Sequence, residues 1–289
     1  MKKTSFCPGH ITGFFQIREH KDLLRSGSRG AGLCVGLGAH CTVQAEEGEG
    51  KKTVRFAGVQ VDAPVTLDAI SYILGQRKLD VVVDLVHDLP IGQGFGMSAA
   101  GALSAAHALS EIIGLPFSEA IRAAHKAELR HRTGLGDVAA LSRGGITFRR
   151  KEGVPPFGQV DRINAEPELV LCVVGDPIST AEMLSDIRKR EKVNKIGNEC
   201  VEKMSAAPTL NSLMRLSREF MKRSDLAPPR VEEAVQAAEK HGQASMVMLG
   251  SSVFAVGDVE RLEEALRPFG TVYRTKVDWR GPRIIESPR

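Results

Sequence analysis

The stretch Pro90-Ile91-Gly92-Gln93-Gly94-Phe95-Gly96-Met97-Ser98-Ala99-Ala100 places three glycines at alternate positions just before an alanine-rich segment. Alternate glycines remove side chains from the backbone where a helix begins, so the free N–H groups and the positive end of the helix dipole can face a phosphate. Ser98 falls in the first helical turn, where its hydroxyl can reach a phosphate oxygen or a phosphate-bound metal ion. The pattern is equally typical of a tight loop in which Ser98 only caps the helix.

This glycine loop does not match the common nucleotide-binding motifs. A P-loop is excluded because no G-x-x-x-x-G-K-[ST] occurs in the sequence. The segments GFGMSA and GLGDVA both satisfy the G-x-G-x-x-A pattern of dinucleotide-binding folds. The first is separated from its strand by the loop HDLPIGQ and the second follows a helix, so neither fits that fold.

The segments around the loop predict a strand, the loop and two helices. The run LDVVVDLVHDLP (79–90) is rich in β-branched residues and predicts a strand that Pro90 stops. The alanine-rich segment after the loop predicts a helix that ends at Gly114. A second helix is expected to begin with Ser118 as its N-cap and to run to about Arg132.

The rest of the chain predicts two α+β halves. The segments GLCVGLGAHCTVQ (32–44) and VRFAGVQV (54–61) flank a polar tip and predict a β-hairpin. The Pro-rich stretch 151–168 carries few periodic apolar positions, which indicates a crossing between domains at 1–164 and 165–289. Because the second half alternates strands and helices, we expect antiparallel sheet packed with helices in each half.

The composition bounds the class of protein. A chain of 289 residues with 42% hydrophobic and 26% charged residues can bury a large core, which excludes disordered and fibrous classes. The net charge of +4 is small beside the basic stripe of a nucleic-acid binder and suits an anionic small substrate. No apolar run of about 18 residues occurs, so no membrane span is expected. Five widely spaced cysteines predict reduced thiols in a cytoplasm.

A second candidate segment, TGLGDVAA (133–140), presents one carboxylate among small residues. A lone Asp beside glycines, such as Asp137, is most often a helix N-cap. Glu128 lies on the apolar stripe of the preceding helix, where a carboxylate requires a cation. From the residues alone, an ion pair with Arg132 four positions later is the expected use of Glu128.

Two further segments could contribute to a site. CPGHITGFF (7–15) reads as a strand start that carries His10, and a lone histidine is more often a structural hydrogen-bonding group than a catalyst. The segment GSRGAG (27–32) predicts a flexible loop with one guanidinium, Arg29. That group can bind a carboxylate or a phosphate, and it can equally face solvent.

In this order, CPGHITGFF, LPIGQGFGMSAAGAL, TGLGDVAALSRGG and SMVMLGSSVFAV resemble the GHMP kinases, the family of galactokinase, homoserine kinase and mevalonate kinase. The second stretch has the form P-x-x-x-G-[LF]-G-x-S-A, which is similar to the phosphate-binding motif of that family. The resemblance implies an α+β, two-domain fold. Its N-terminal domain would be like the second domain of ribosomal protein S5, its C-terminal domain ferredoxin-like, and ATP would lie in the cleft between them.

The resemblance also implies roles for individual residues. Ser98 and Glu128 would bind Mg²⁺, and Asp137 would be the base near the acceptor hydroxyl. His10 stands where many members have a Lys that supports this Asp, so it would share the catalytic site. Met97 replaces the first Ser of the usual pair. The residues expected to bind ATP are Pro90, Gly92, Gly94, Phe95, Gly96, Met97, Ser98 and Ala99.

The resemblance further implies that the acceptor is a small hydroxy acid. Arg29 could offer its carboxylate a bidentate fork, with Ser28 and His10 as further donors. Transfer of a γ-phosphoryl group requires mainly positioning and charge neutralisation, so Asp137 either takes the acceptor proton or only orients the hydroxyl. The expected partners are therefore this substrate and ATP, without nucleic acid or membrane, and a homodimer is left open.

Two alternatives concern the function. The acceptor could be that of a homoserine, shikimate or mevalonate kinase. The chain could also be a non-catalytic nucleic-acid-binding protein, because the implied N-terminal fold also occurs in ribosomal proteins. The basic residues argue against the second alternative, since the cluster 188–190 is interleaved with Asp186 and Glu191, as on a solvated helix face.

Overall fold

The computed structural model describes residues 1–178 and 186–285, which form two β-sheets with helices packed against them. The strands are β1 Lys2–Arg18, β2 Gly27–Glu47, β3 Lys52–Phe56, β4 Val59–Gln60, β5 Leu79–His87, β6 Ile146–Lys151, β7 Gln159–Ile163, β8 Glu168–Val173, β9 Gly242–Val247, β10 Ser252–Gly257, β11 Thr271–Lys276 and β12 Arg283–Ile285. The helices are α1 Pro64–Leu74, α2 Met97–Ile113, α3 Phe117–His131, α4 Asp137–Leu141, α5 Ile187–Ala206, α6 Leu210–Ser224, α7 Pro229–Ala238 and α8 Val259–Leu266.

The first sheet has the strand order β12-β1-β2-β5-β3-β4, with β6 and β7 branching from β2. Helices α1, α2 and α3 pack against one another, and α2 also contacts β1, β2 and β5. Helix α2 is buried from Ala99 to Ser110, because its many alanines let strands and helices approach closely on every side. The predicted sequence of strand, glycine loop and helix is confirmed, and α2 ends at Gly114 in the left-handed conformation.

The predicted start of the next helix is wrong. Helix α3 begins at Phe117, and Pro116 is its N-cap residue with φ −69° and ψ 150°. Pro116 has an extended backbone and no N–H, so it suits the position before the first turn. Ser118 therefore lies inside that turn, with no side-chain cap at this helix end.

The predicted hairpin between residues 32–44 and 54–61 is also wrong. Strand β5 lies between β2 and β3 and pairs antiparallel with the first and parallel with the second. The apolar run of β5 is best buried as a central strand, and α1 supplies the crossover that a parallel pair requires. Residues 54–61 instead form their own hairpin, β3 and β4, because Ala57 and Gly58 turn the chain at φ 48° and 82°.

The second sheet confirms the expected ferredoxin-like topology. Its strands lie side by side in the order β11-β8-β10-β9. Counted along the chain, these are the fourth, first, third and second strands of the sheet, and all neighbouring strands are antiparallel. Helices α7 and α8 pack on this sheet, α6 contacts both β9 and β1, and α5 packs against β1, β2 and α6. Strand β1 therefore lies between the first sheet, to which it belongs, and helices of the second half of the chain.

The chain passes from the first sheet to the second between Ile163 and Glu168 and returns at its end. Strand β12 pairs with β1, so the last described residues belong to the first sheet. The division at 164/165 stays a prediction. All five cysteines are free and buried. Within residues 1–178 and 186–285, no helix combines the length and the hydropathy that a bilayer crossing requires.

Candidate active site

A cleft lies between the glycine loop, the loop before α4 and the turn from β9 to β10. All four sequence stretches that carry the family resemblance contribute to it. Its lining residues are Thr12, Phe15, Ser28, Ile91, Gly92, Gly94, Phe95, Gly96, Met97, Ser98, Ala99, Glu128, Thr133, Gly134, Leu135, Gly136, Asp137, Ile178, Met248 and Leu249. Of the residues predicted to bind ATP, Pro90 alone is missing from this lining, and it lies at the entry to the loop.

The backbone of the glycine loop explains its sequence. Gly92, Gly94 and Gly96 have φ values of 77°, 81° and 64°, in the left-handed region that residues with a Cβ rarely adopt. Helix α2 starts immediately afterwards, with Gly96 as its N-cap, and no side chain among residues 1–178 and 186–285 caps its N–H groups. The alternative in which Ser98 serves only as the cap is wrong. These free N–H groups and the helix dipole suit an anion at this end of the cleft.

The side chain of Glu128 is hydrogen-bonded to Ser98, next to the glycine loop. Ser98 Oγ donates to Glu128 Oε1 at 2.6 Å, and Thr133 Oγ1 donates to the same oxygen at 2.9 Å. The Glu128 side chain is buried, which raises its pKa to about 7 against the opposing effect of the Ser98 hydrogen bond; the negative charge of Asp137 adds to the increase. The ion pair expected with Arg132 does not form, because Arg132 leaves the helix at φ 55°.

Asp137 and His10 lie side by side although 127 positions separate them in the sequence. His10 Nδ1 is 2.7 Å from Asp137 Oδ1, and His10 Nε2 is 3.4 Å from Nη1 of Arg149. Burial lowers the pKa of His10, which is therefore neutral at pH 7. Because Arg149 can only donate, Nε2 accepts from it and Nδ1 carries the proton donated to Asp137.

These contacts keep Asp137 ionised. Burial on its own would raise the pKa of Asp137, but the hydrogen bond from His10 and the charge of Arg149 lower it below its usual value. Asp137 is the first residue of α4, after Gly136 as N-cap, and its side chain binds His10 rather than capping the helix. Because 22% of this side chain stays exposed, the carboxylate is accessible from the cleft.

The structure does not place Arg29 at the cleft, which corrects the sequence prediction. Residues 27–32 are part of β2 rather than a flexible loop. Neighbouring residues of a strand point to opposite faces, so Ser28 lines the cleft while Arg29 turns away from it. The Arg29 guanidinium donates to Gln16 and, at 2.8 Å, to Asn198 Oδ1 of α5.

A different arginine lies behind the end of the cleft that carries Asp137. Arg149 of β6 is buried, and its Nε donates to the carbonyl of Ser28 at 3.3 Å. Arg149 was not singled out from the sequence, because only its burial in β6 distinguishes it from Arg150 and Lys151, which follow it in the same strand. Thr12 and Thr133 were also missed as individual residues, although both lie in the stretches that carry the resemblance.

Ser98 and Glu128 fit a Mg²⁺ ion that is shared with phosphates. Among the residues that the structure describes, no group of three His, Cys, Asp or Glu could hold a metal by itself. Mg²⁺ is commonly bound by one or two carboxylates, with substrate phosphates and water completing its octahedron. The hydroxyl and carboxylate at the loop are suited to that arrangement.

Comparisons with known proteins agree with this geometry. Residues 65–145 match the GHMP kinases N terminal domain and residues 200–274 match the GHMP kinases C terminal domain. A pantoate kinase of Methanospirillum hungatei is 33% identical, over 99% of this chain and 97% of that protein. A pantoate kinase of Thermococcus kodakarensis is 35% identical, over 90% of this chain and 89% of that protein.

Solved structures show the same relationship. A structure described as a phosphotransferase related to the CoA biosynthesis pathway superposes with a TM-score of 0.89 at 30% sequence identity, and the match covers 98% of both chains. The fold, the two domain matches and these relatives confirm the resemblance in the sequence, and the chain belongs to the GHMP kinase family.

Proposed function

We propose that this protein is a pantoate kinase that transfers the γ-phosphoryl group of ATP to the primary hydroxyl of (R)-pantoate, giving (R)-4-phosphopantoate on the way to coenzyme A. The observation that carries the proposal is the similarity to pantoate kinases over nearly the whole length of both chains. The cleft supports it, because one end suits phosphates and the other presents an ionised carboxylate beside a buried cation.

The glycine loop forms the nucleotide end of the proposed site. Backbone N–H groups at the start of α2 bind the phosphate oxygens, and Ser98 and Glu128 hold Mg²⁺. When bound, that ion neutralises charge on the phosphates. Phosphoryl transfer depends mainly on such positioning and charge stabilisation, so no covalent participation of the chain is required.

The acceptor end is built around Asp137. Neutral His10 donates from Nδ1 and fixes the orientation of the Asp137 carboxylate, which in turn orients the acceptor hydroxyl and takes its proton. Buried Arg149 contributes a positive potential that attracts the carboxylate of pantoate, and Ser28 adds a hydroxyl on the same wall.

An acceptor screen tests this function. The purified chain is incubated with ATP, Mg²⁺ and pantoate, homoserine, shikimate or mevalonate in turn, and ADP formation is followed. We expect turnover with pantoate to exceed that with each other acceptor by at least about 100-fold, because a site built for one set of polar groups rejects others strongly. ³¹P NMR of the product should show a primary phosphate monoester. Faster phosphorylation of another acceptor would transfer the chain to that member of the family.

Ser98→Ala tests the nucleotide end. Loss of this hydroxyl should lower kcat/KM by about 10- to 100-fold, because a hydrogen bond to a charged group is worth about 1.5 to 3 kcal/mol. Ser110→Ala is the matched control in the same helix: its hydroxyl is buried and has no hydrogen-bond partner in the part of the chain that the structure describes, so its removal should leave activity unchanged. Full activity of Ser98→Ala would remove Ser98 from the site.

Ser28→Ala and Arg29→Ala test which neighbour faces the acceptor. The Ser28 variant should raise the KM for pantoate about 2- to 10-fold and leave that for ATP unchanged, as expected for a lost neutral hydrogen bond. The Arg29 variant should change both KM values less than about twofold, because its guanidinium binds Gln16 and Asn198 instead. The opposite pattern would restore Arg29 as the substrate-binding residue.

We further propose a cytoplasmic location, which the five buried free cysteines support because reduced thiols suit that compartment. The homodimer stays a prediction, and light scattering of the purified chain tests it. A filter-binding measurement with RNA, expected to show no tight and salt-sensitive binding, tests the nucleic-acid alternative.

A further inference from the structure

Gln93 lies within the glycine loop but its side chain turns away from the cleft into the second sheet. Only 3% of the residue is exposed. Its Nε2 donates to the carbonyl of Gly175 at 2.8 Å, and its Oε1 accepts from Ser252 Oγ at 3.1 Å. Gly175 follows β8 and Ser252 begins β10, so one amide connects the loop to the ends of two strands of the second sheet.

We propose that Gln93 is a positioning residue that fastens the phosphate-binding loop to the second sheet and thereby sets the affinity for ATP. The proposal rests on the proposed use of this loop for ATP. It concerns a side chain that touches neither nucleotide nor acceptor, and that acts only through the backbone of its neighbours.

The backbone around Gln93 is packed closely against the second sheet. Ile178 N donates to the carbonyl of Gly92 at 3.0 Å. A Cβ on Gly94 would lie 2.8 Å from Val247 Cγ1, and a Cβ on Gly250 would lie 2.1 Å from the carbonyl oxygen of Gln93. The side chain of Gln93 thus adds two hydrogen bonds to a tight contact between the loop and the second sheet.

The opposite side of the loop is fastened to the first sheet. The backbone N–H of His10 donates to the carbonyl of Phe95 at 2.9 Å, which connects the loop to β1. The side chain of the same histidine binds Asp137. The segment from Gln93 to Phe95 is therefore held on both sides. Without the two Gln93 side-chain hydrogen bonds, the bond from His10 N to Phe95 and the bond from Ile178 N to Gly92 would remain as the polar contacts described for residues 92–95.

Such fastening matters because the loop is rich in glycine. Glycine loses more conformational freedom on ordering than any other residue, so a free loop with three glycines would be costly to fix around a phosphate. A loop that is already held in its binding conformation avoids that cost when the ligand arrives. Removing the Gln93 contacts should therefore appear mainly as weaker ATP binding.

The test compares ATP affinity with thermal stability. Gln93→Met keeps the side-chain volume and removes both hydrogen bonds, whereas Ser252→Ala removes one. We expect the Kd for Mg-ATP, measured by calorimetry, to rise about tenfold in Gln93→Met and about threefold in Ser252→Ala. The KM for pantoate should change less than twofold in both variants. Because Ser252 acts through Gln93, the double variant should bind ATP no worse than Gln93→Met.

Gln16→Ala is the matched control. Gln16 of β1 is also a buried amide: its Nε2 donates to Asn198 Oδ1 of α5 and its Oε1 accepts from Arg29, and none of these bonds reaches the glycine loop. This variant should lower the Tm while leaving the Kd for Mg-ATP within about twofold of wild type. Equal weakening of ATP binding by Gln16→Ala would show that any loosened contact between the halves has this effect, and would overturn the specific role of Gln93.

Two further outcomes are decisive. If Gln93→Met does not fold, Gln93→Leu replaces it: this variant also lacks both hydrogen bonds and adds no charge near the phosphates, so the same loss of affinity is expected. An unchanged Kd in a folded Gln93 variant overturns the proposal. Failure of the wild-type chain to bind Mg-ATP would instead contradict the proposed function itself.

Discussion

Asp137→Asn is expected to retain the fold, whereas its kcat should be about 10²- to 10⁴-fold lower than that of the wild type. This range is typical of the loss of a general base. The amide is nearly isosteric with the carboxylate and can still accept the hydrogen bond from His10 Nδ1. It carries no charge, however, and cannot take the proton of the acceptor hydroxyl. The KM for ATP should change little, because the glycine loop does not depend on Asp137.

The control for this variant is Asp68→Asn, which removes an aspartate that pairs with Arg130 and His131 on the surface, away from the cleft. Its kcat should equal that of the wild type. If Asp137→Asn raises only the KM for pantoate, the carboxylate binds and orients the acceptor without taking its proton. A variant with wild-type kcat and KM would remove Asp137 from the site.

The position of His10 is explained by the residue behind it. Many family members have a Lys where this chain has His10, and a neutral imidazole cannot supply the positive charge of an ammonium. Buried Arg149 carries a positive charge on the far side of His10 from Asp137. Its Nη1 donates to His10 Nε2. The positive charge of Arg149 is one of the causes that lower the pKa of Asp137.

The sequence predicted best where the signal is local. Alternate glycines, an alanine-rich run and a terminal Gly114 specify the loop and α2 through backbone geometry alone, and the structure agrees. The hairpin between β2 and β3 failed because pairing depends on which distant strand is inserted, and β5 comes later in the chain. Local turn signals carry no information on that insertion.

The candidate site shows the same limit at the level of side chains. Arg29 and Arg149 are both arginines near glycines, and only the pleat of β2 and the burial of β6 decide which one approaches the cleft. The pairing of His10 with Asp137 spans 127 positions and follows from the family resemblance rather than from spacing. Gln93 gave no signal at all, because its partners lie on the other sheet.

Glu128→Gln is expected to raise stability while abolishing most activity. Activity should fall by at least about 100-fold in kcat/KM, because a neutral amide is a poor ligand for Mg²⁺. Stability should rise because burial holds the pKa of Glu128 at about 7, above its usual value of 4.5, so the folded protein carries a disfavoured charge at high pH. Glu119→Gln, on the exposed side of the same helix, is the control and should leave activity unchanged.

The pH dependence gives the sign of the stability effect. Between about pH 4.5 and 7 the folded protein binds a proton at Glu128 that the unfolded chain has lost, so the wild-type free energy of unfolding falls as pH rises through this window. Gln does not titrate and escapes this loss. The advantage of Glu128→Gln should therefore be near zero at pH 4, grow through the window and level off above pH 7 at no more than about 3 kcal/mol. Denaturant unfolding without divalent ions at pH 4, 6 and 8 measures it. A variant less stable than wild type at pH 8 would show that the charged carboxylate is stabilised by Ser98 and Thr133 more than burial opposes it.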